Sequence, residues 1–205
     1  GGINAVGVIT ATSFSGSGAN LTGITAGLTT DAYRNTSGGI NAGDSFTSGS
    51  ALDNTLIGYD AGTAVTTGDL NTAVGSYALQ ATTTGGNNTA SGYGALYTNT
   101  TASNNTATGY TALYFNTTGT DNTASGVEAL FYNTTGDYNT ASGKESLRSN
   151  TTGANNTATG YESLYTNTTG GYNTASGVQA LYSNTTAGYN VASGWKALYL
   201  NTTGA

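Results

Sequence analysis

Three glutamates, Glu128, Glu145 and Glu162, recur at a spacing of 17 residues and are the first candidates for chemistry in this chain. A pair of carboxylates can hydrolyse a glycoside when one is held as acid and the other as base or nucleophile. Nothing in the sequence sets one of these above its neighbours, and Lys144, Arg148 and Lys196 lie close enough to screen them. The column reads as a solvated face. Other routes to catalysis are closed by composition. The chain has no Cys and no His, which removes the thiolate nucleophile, the commonest general base and the usual transition-metal ligands. Its Asp residues show neither EF-hand spacing nor the Gly-rich nonapeptide pattern that holds calcium. The sequence predicts no enzyme, no metal and no cofactor.

Two other sets of residues suit binding. Tyr97, Tyr114, Phe131, Tyr165, Tyr182 and Tyr199 fall at one position of the 17-residue pattern, with Tyr138, Tyr172 and Tyr189 at another. Tyr offers a flat apolar face and a polar tip at low entropic cost, so such a ribbon can stack on sugar rings. The same rings can instead stabilise neighbouring coils or cover a seam between chains, and that is the expectation for most of them. Thr-Ala-Ser/Thr triplets (Thr89–Ser91, Thr106–Thr108, Thr123–Ser125 and onward) set out a regular Thr array of the kind that resembles ice-binding solenoids. Thr is also simply a good strand former. With four basic residues, the chain cannot neutralise a run of phosphates, so nucleic acid is not expected as a partner. No apolar run is long enough to span a bilayer as a helix.

All these residues are placed by one repeat. Asn occurs at 54, 71, 88, 105, 122, 139, 156, 173 and 190, always 17 residues apart. Counting each unit from that Asn as position 0, position 4 is Gly in all nine units and position 7 is Ala or Ser. Position 8 is Leu in eight (Leu79, Leu96, Leu113, Leu130, Leu147, Leu164, Leu181, Leu198), with Gly62 in the first. Positions 12 and 13 are Thr in all nine, and position 11 is Asn in the last seven, Asn99 to Asn201. A 17-residue unit is too short for a helix pair or a propeller blade, which need roughly 30 residues or more. It suits one coil of a parallel β-solenoid, with two strands of about five residues joined by Asn- and Gly-rich corners. The absence of Pro fits strands that must donate to a ladder on every coil.

The predicted fold is therefore all-β, a parallel β-solenoid of nine 17-residue coils over residues 54–205. With about 4.8 Å per coil the stack is roughly 43 Å long. Stacked coils place Asn71, Asn88, Asn105, Asn122, Asn139, Asn156, Asn173 and Asn190 in one amide ladder, and the position 11 Asn in a second. Leu, Ile, Val and Phe make up only 30 of 205 residues, a thin supply for a globular core. One Leu per coil, with small residues at 2, 4 and 7, points to three chains pooling their Leu columns in a shared centre. A single chain with Leu and Tyr filling one narrow interior is the competing arrangement. Position 3 is Ile57 and Val74 in early coils and Ser or Thr later, which leaves its direction open. Residues 1–53 read as an irregular β-rich connector and N-terminal cap: a strand over 6–14, a turn over 15–20, a short strand over 21–24, and a degenerate coil or cap at 38–43. With no leading Met, no leader pattern and no C-terminal cap, the chain is expected to be a portion of something longer.

The unit Asn71-Thr-Ala-Val-Gly-Ser-Tyr-Ala-Leu79, and likewise Asn105-Thr-Ala-Thr-Gly-Tyr-Thr-Ala-Leu113, resembles the head repeats of trimeric autotransporter adhesins. It is more similar still to repeats of bacteriophage tail fibres and tailspikes. The segment Gly7-Val-Ile-Thr-Ala-Thr-Ser-Phe-Ser-Gly-Ser-Gly-Ala-Asn-Leu-Thr-Gly-Ile24 is similar to connecting segments in structural proteins of cyanobacterium-infecting phages. The repeat resemblance covers residues 54–205. It implies a homotrimer of left-handed parallel β-rolls on a virion tail fibre, beside neighbouring fibre proteins and near host-surface glycans. The period of 17 is longer than the usual autotransporter head coil, and the mostly polar position 3 departs from that family's Ile. A bacterial extracellular filament or adhesin stalk is the alternative setting, with an ice-binding solenoid behind it.

Overall fold

A computed structural model describes residues 29–47 and 49–204. Its one sheet has eleven strands in chain order, ten of them parallel. The short strand β1 (Thr29–Thr30) pairs antiparallel with β2 (Thr36–Gly38), which pairs parallel with β3 (Thr55–Ile57). Successive parallel strands follow, one per coil, to β11 (Val191–Ser193). In register, Thr lies over Thr and Ala over Ala, as in Thr106↔Thr123 and Ala107↔Ala124. This is the parallel β-solenoid that the period predicts.

Two features of the coil differ from expectation. Each coil has a single three-residue strand rather than two of about five, because four positions per coil are left-handed and break extended backbone. Position 4 is Gly at φ between 121° and 140°. Positions 6, 8 and 16 carry φ of roughly 50–62° on ordinary residues, including every Leu from Leu79 to Leu198. Within the nine 17-residue coils, Asn holds a left-handed corner at position 16 alone, and in some coils (Asn87, Asn104, Asn155). The Asn of positions 0 and 11 are present for their amides. A left-handed Leu costs on the order of 1 kcal/mol, and its burial, worth about 2 kcal/mol, offsets that.

Leu79, Leu96, Leu113, Leu130, Leu147, Leu164 and Leu181 are fully buried inside one chain, against the Ala of positions 2 and 7. Leu burial therefore requires no second chain. Leu198, in the last coil, is half-exposed. Position 2 faces inward and positions 1 and 3 face outward, which fixes the direction that Ile57 and Val74 had left open. At position 4 a Cβ would meet the carbonyl oxygen of the next coil's Gly at about 2.4–2.7 Å from Gly58 to Gly177. Backbone geometry and coil spacing thus both exclude any side chain there.

The parallel stack starts at Thr36 rather than at residue 54. Asn35 stands at position 0 of a longer coil, and its Oδ1 accepts from the backbone N–H of Asn54, 19 residues on. The stretch 38–43 belongs to that coil, with Gly39 and Gly43 in positive φ as at positions 4 and 8. Where Leu is missing from position 8, another residue takes its volume. Phe46 lies over Gly43, and Leu56 over Gly62, each so close that a Cβ on the glycine would collide. The strands and turn anticipated within residues 6–24 lie outside the described residues.

Candidate functional site

The two Asn columns are the interior scaffold on which every surface residue depends. Along the first, each Asn Oδ1 accepts the backbone N–H of the next coil's Asn at 2.9–3.1 Å from Asn54 to Asn190. In the second, Asn116, Asn133, Asn150, Asn167 and Asn184 each donate Nδ2 to Oδ1 of the preceding Asn at 2.7–3.0 Å. The position 14 carbonyl joins the two columns. In one coil, Gly119 O accepts Nδ2 of both Asn105 and Asn116 at 2.9 Å. Both predicted ladders are present, and their buried amides are satisfied. Thr at position 12 has its own reason: in eight of the coils, as in Thr117 to Thr134, its hydroxyl donates to the carbonyl of position 12 one coil later.

The aromatic column at position 9 is half-buried and stacked on itself. Tyr97 and Tyr114 lie 4.8 Å apart at 2°, Tyr165 and Tyr182 5.1 Å at 2°, and Tyr182 and Tyr199 5.0 Å at 13°. Between Phe131 and Tyr165 the column contains Arg148 instead of a ring. Its guanidinium sits 5.3 Å from the Phe131 centroid and 5.8 Å from that of Tyr165, so it replaces the missing ring by cation–π contact. The faces that a sugar would need are spent on neighbouring coils. Burial, with help from Tyr97, Tyr93 and Tyr110, pushes the Tyr114 hydroxyl above its ordinary value, so it stays neutral. Tyr172 and Tyr189 at position 16 form a similar stack, 5.0 Å and 1°, and Tyr138, at the same position, is exposed as they are.

The three Glu of the position 6 column are held separately. Each carboxylate has its own partner: Glu128 takes Arg148 Nε at 2.6 Å, Glu145 takes Lys144 Nζ at 3.0 Å, and Glu162 takes Gln179 Nε2 at 2.6 Å. Among the described residues, no three or more His, Cys, Asp or Glu gather around a common point. No helix among the described residues is long and apolar enough to cross a membrane.

What remains is outward surface of two kinds. One is regular: Thr at position 1, Ser or Thr at position 3, and Thr at position 13, each exposed and repeating with the coil. The other is local. A cleft of about 380 Å³ is lined by Tyr93, Tyr110, Thr111, Tyr114, Phe115, Glu128 and Phe131. An adjoining groove of about 490 Å³ shares Phe115 as its wall and runs past Tyr132 to Ser149 and Thr151. The exposed rings Phe115 and Tyr132 at position 10 escaped the sequence reading because that position is Ala, Ser or Thr in most coils. Their departure from the repeat was the available signal. Comparison of the chain with family models, with curated proteins and with solved structures finds no match.

Proposed function

We propose that the chain is a non-enzymatic structural and attachment protein, a segment of a trimeric phage tail fibre that bears or contributes to host recognition. The observation that carries this reading is the Thr of position 13. It is exposed in all nine coils and makes no side-chain hydrogen bond within the chain among the described residues. Other outward positions vary freely: position 10 runs through Ala, Thr, Phe, Tyr, Ser and Leu, and position 15 through Asp, Gly, Ser, Thr and Ala. A side chain that the fold does not need, yet every copy of the unit retains, is best explained by a partner with the same period. A second and third copy in parallel register have that period. Since Leu is already spent inside each chain, association of three chains would use the flat outward columns of small Thr and Ser side chains, which let backbones approach closely.

The neutrality of the scaffold supports a load-bearing segment, because the amide columns carry no titratable group. The test is the mass in solution by light scattering coupled to size exclusion. Three times 20.4 kDa is expected, and a folded single chain overturns the trimer.

A second reading draws on the same surface. From Thr89–Ser91 onward the strands present two small side chains each, with no aromatic among them. Such a face suits an ordered water lattice, and a monomer that shows thermal hysteresis would place ice binding ahead of the fibre.

A further inference from the structure

The cleft at Tyr110 lies where two consecutive coils leave the repeat. Position 10 holds Phe115 and Tyr132, which stack at 5.6 Å and 1°. They meet Tyr114 and Phe131 edge-on at 4.8 and 4.7 Å. Tyr110 stacks on Tyr93 at 5.4 Å through one face. Position 5 of the following coil is Val127, so no ring of the next coil stacks on the other face. Opposite stands Glu128, whose Oε2 takes Arg148 Nε at 2.6 Å. The Arg148 guanidinium is itself held 5.3 and 5.2 Å from the centroids of Phe131 and Tyr132. The carboxylate is therefore fixed in place with Oε1 left to accept a hydrogen bond.

Thr111 in the cleft wall adds an independent sign. Its hydroxyl is the one buried side-chain polar atom without a hydrogen-bond partner among the described residues, and its backbone is left-handed at φ 50°. A β-branched residue is a poor choice for that backbone, and orphaned polar groups and local strain gather at sites of function. Other coils place Glu, Gln, Asp, Lys, Tyr or Gly at position 6, so the fold does not demand Thr.

We propose that this cleft binds a neutral pyranoside, its C–H face on the Tyr110 ring and a hydroxyl donated to Glu128 Oε1. The site deepens the attachment reading and rests on it. The chemistry favours a sugar because an apolar ring face beside a fixed acceptor matches the two sides of a pyranose. It favours a neutral one because Glu128 and a net charge of −6 repel anionic sugars. A second copy of the chain is a worse fit, since a copy in register meets a surface repeating every coil, whereas this cleft is confined to the three coils that carry Tyr93, Tyr110 and Glu128.

The test uses the full chain on an array of neutral and sialylated glycans, followed by titration calorimetry with the best neutral oligosaccharide. Tyr110→Ala and the isosteric Glu128→Gln are each expected to weaken binding by about tenfold or more. Tyr172→Ala, on a distant column, is expected to leave it unchanged. Undiminished binding in both cleft variants overturns the site while leaving attachment intact. Binding of sialylated glycans alone overturns the neutral class. Absence of any glycan binding overturns the site too, and the mass measurement then judges the fibre reading separately. Self-association that Tyr110→Ala abolishes assigns the surface to a second copy and overturns the sugar.

Discussion

The two ends of the described stack are held by different chemistry. From Asn71 onward, neutral amides cross from coil to coil and Leu fills the interior. At the N-terminal end of the described residues the first Asn of the column, Asn35, is held by Asp31. Its carboxylate accepts the Asn35 backbone N–H at 2.9 Å and Asn35 Nδ2 at 3.0 Å. This is the ladder contact with an acceptor-only group, suited to the terminus of a column of donors. Arg34 and Asp53 add an exposed ion pair beside it. The difference teaches that a carboxylate from outside the 17-residue pattern can take the acceptor role that an Asn amide fills elsewhere in the column.

The sharpest way to break the regular stack is at position 4. Gly126→Ala places a Cβ 2.5 Å from the carbonyl oxygen of Gly143 at φ 138°. We expect a loss of about 3–5 kcal/mol, read as collapse of amide hydrogen-exchange protection in the flanking coils. Coil-resolved exchange is the right measurement because long repeat arrays need not unfold in one step.

Leu130→Ala should cost slightly less, about 2–5 kcal/mol. Leu130→Gly sharpens the comparison: it leaves a larger cavity but releases the left-handed strain. Its cost is expected to match that of Leu130→Ala rather than exceed it, and a clear excess would show that the φ of 52° stores no strain.

Asn122→Ala strips the acceptor from the Asn139 N–H and Nδ2, at 2.9 and 3.2 Å, and a donor from the Gly136 carbonyl. With buried groups left unpaired, about 2–3 kcal/mol is expected, lost from the next coil first. At the other end the expected effect is smaller and depends on pH. Burial pushes the Asp31 carboxyl up, but hydrogen bonds from Asn35 and Tyr33 outweigh it and hold the group below its ordinary 3.8. A depressed carboxyl contributes stability that is present above 3.8 and fades as pH falls through its folded value. Acid should therefore loosen residues 31–54 while the amide-held coils stay ordered, as seen in amide NMR signals. Asp31→Asn is expected to reduce that pH dependence to the part contributed by Asp53, which its bond from Arg34 also holds below 3.8, and an unchanged acid response in this variant would refute the assignment.

The ladders were legible before any coordinates because Asn at fixed spacing in a stacked coil leaves its amide one partner, the Asn above it. The Glu column was read as a solvated face; its carboxylates are instead half-buried, with Glu128 and Glu145 held by Arg148 and Lys144. The position 9 rings were harder. Sequence shows that they align, whereas only the 2° stacking of Tyr97 on Tyr114 shows that their faces are consumed. Phe115 and Thr111 were missed as site residues because a reading built on periodicity discounts what breaks it.

By itself, the sequence determined the period, the parallel stacking, the two amide columns and the absence of charged interior groups. These follow from short-range rules: equal positions stack, and polar side chains in the stack must pair. Only the tertiary structure decided where Leu went, which positions turn left-handed and where the first coil begins. Those depend on how the backbone closes around its own interior. The left-handed turn at position 8 aims Leu into its own coil, and Leu56 or Phe46 can fill the same volume from another position. Such compensation acts through space, between residues that no linear spacing connects.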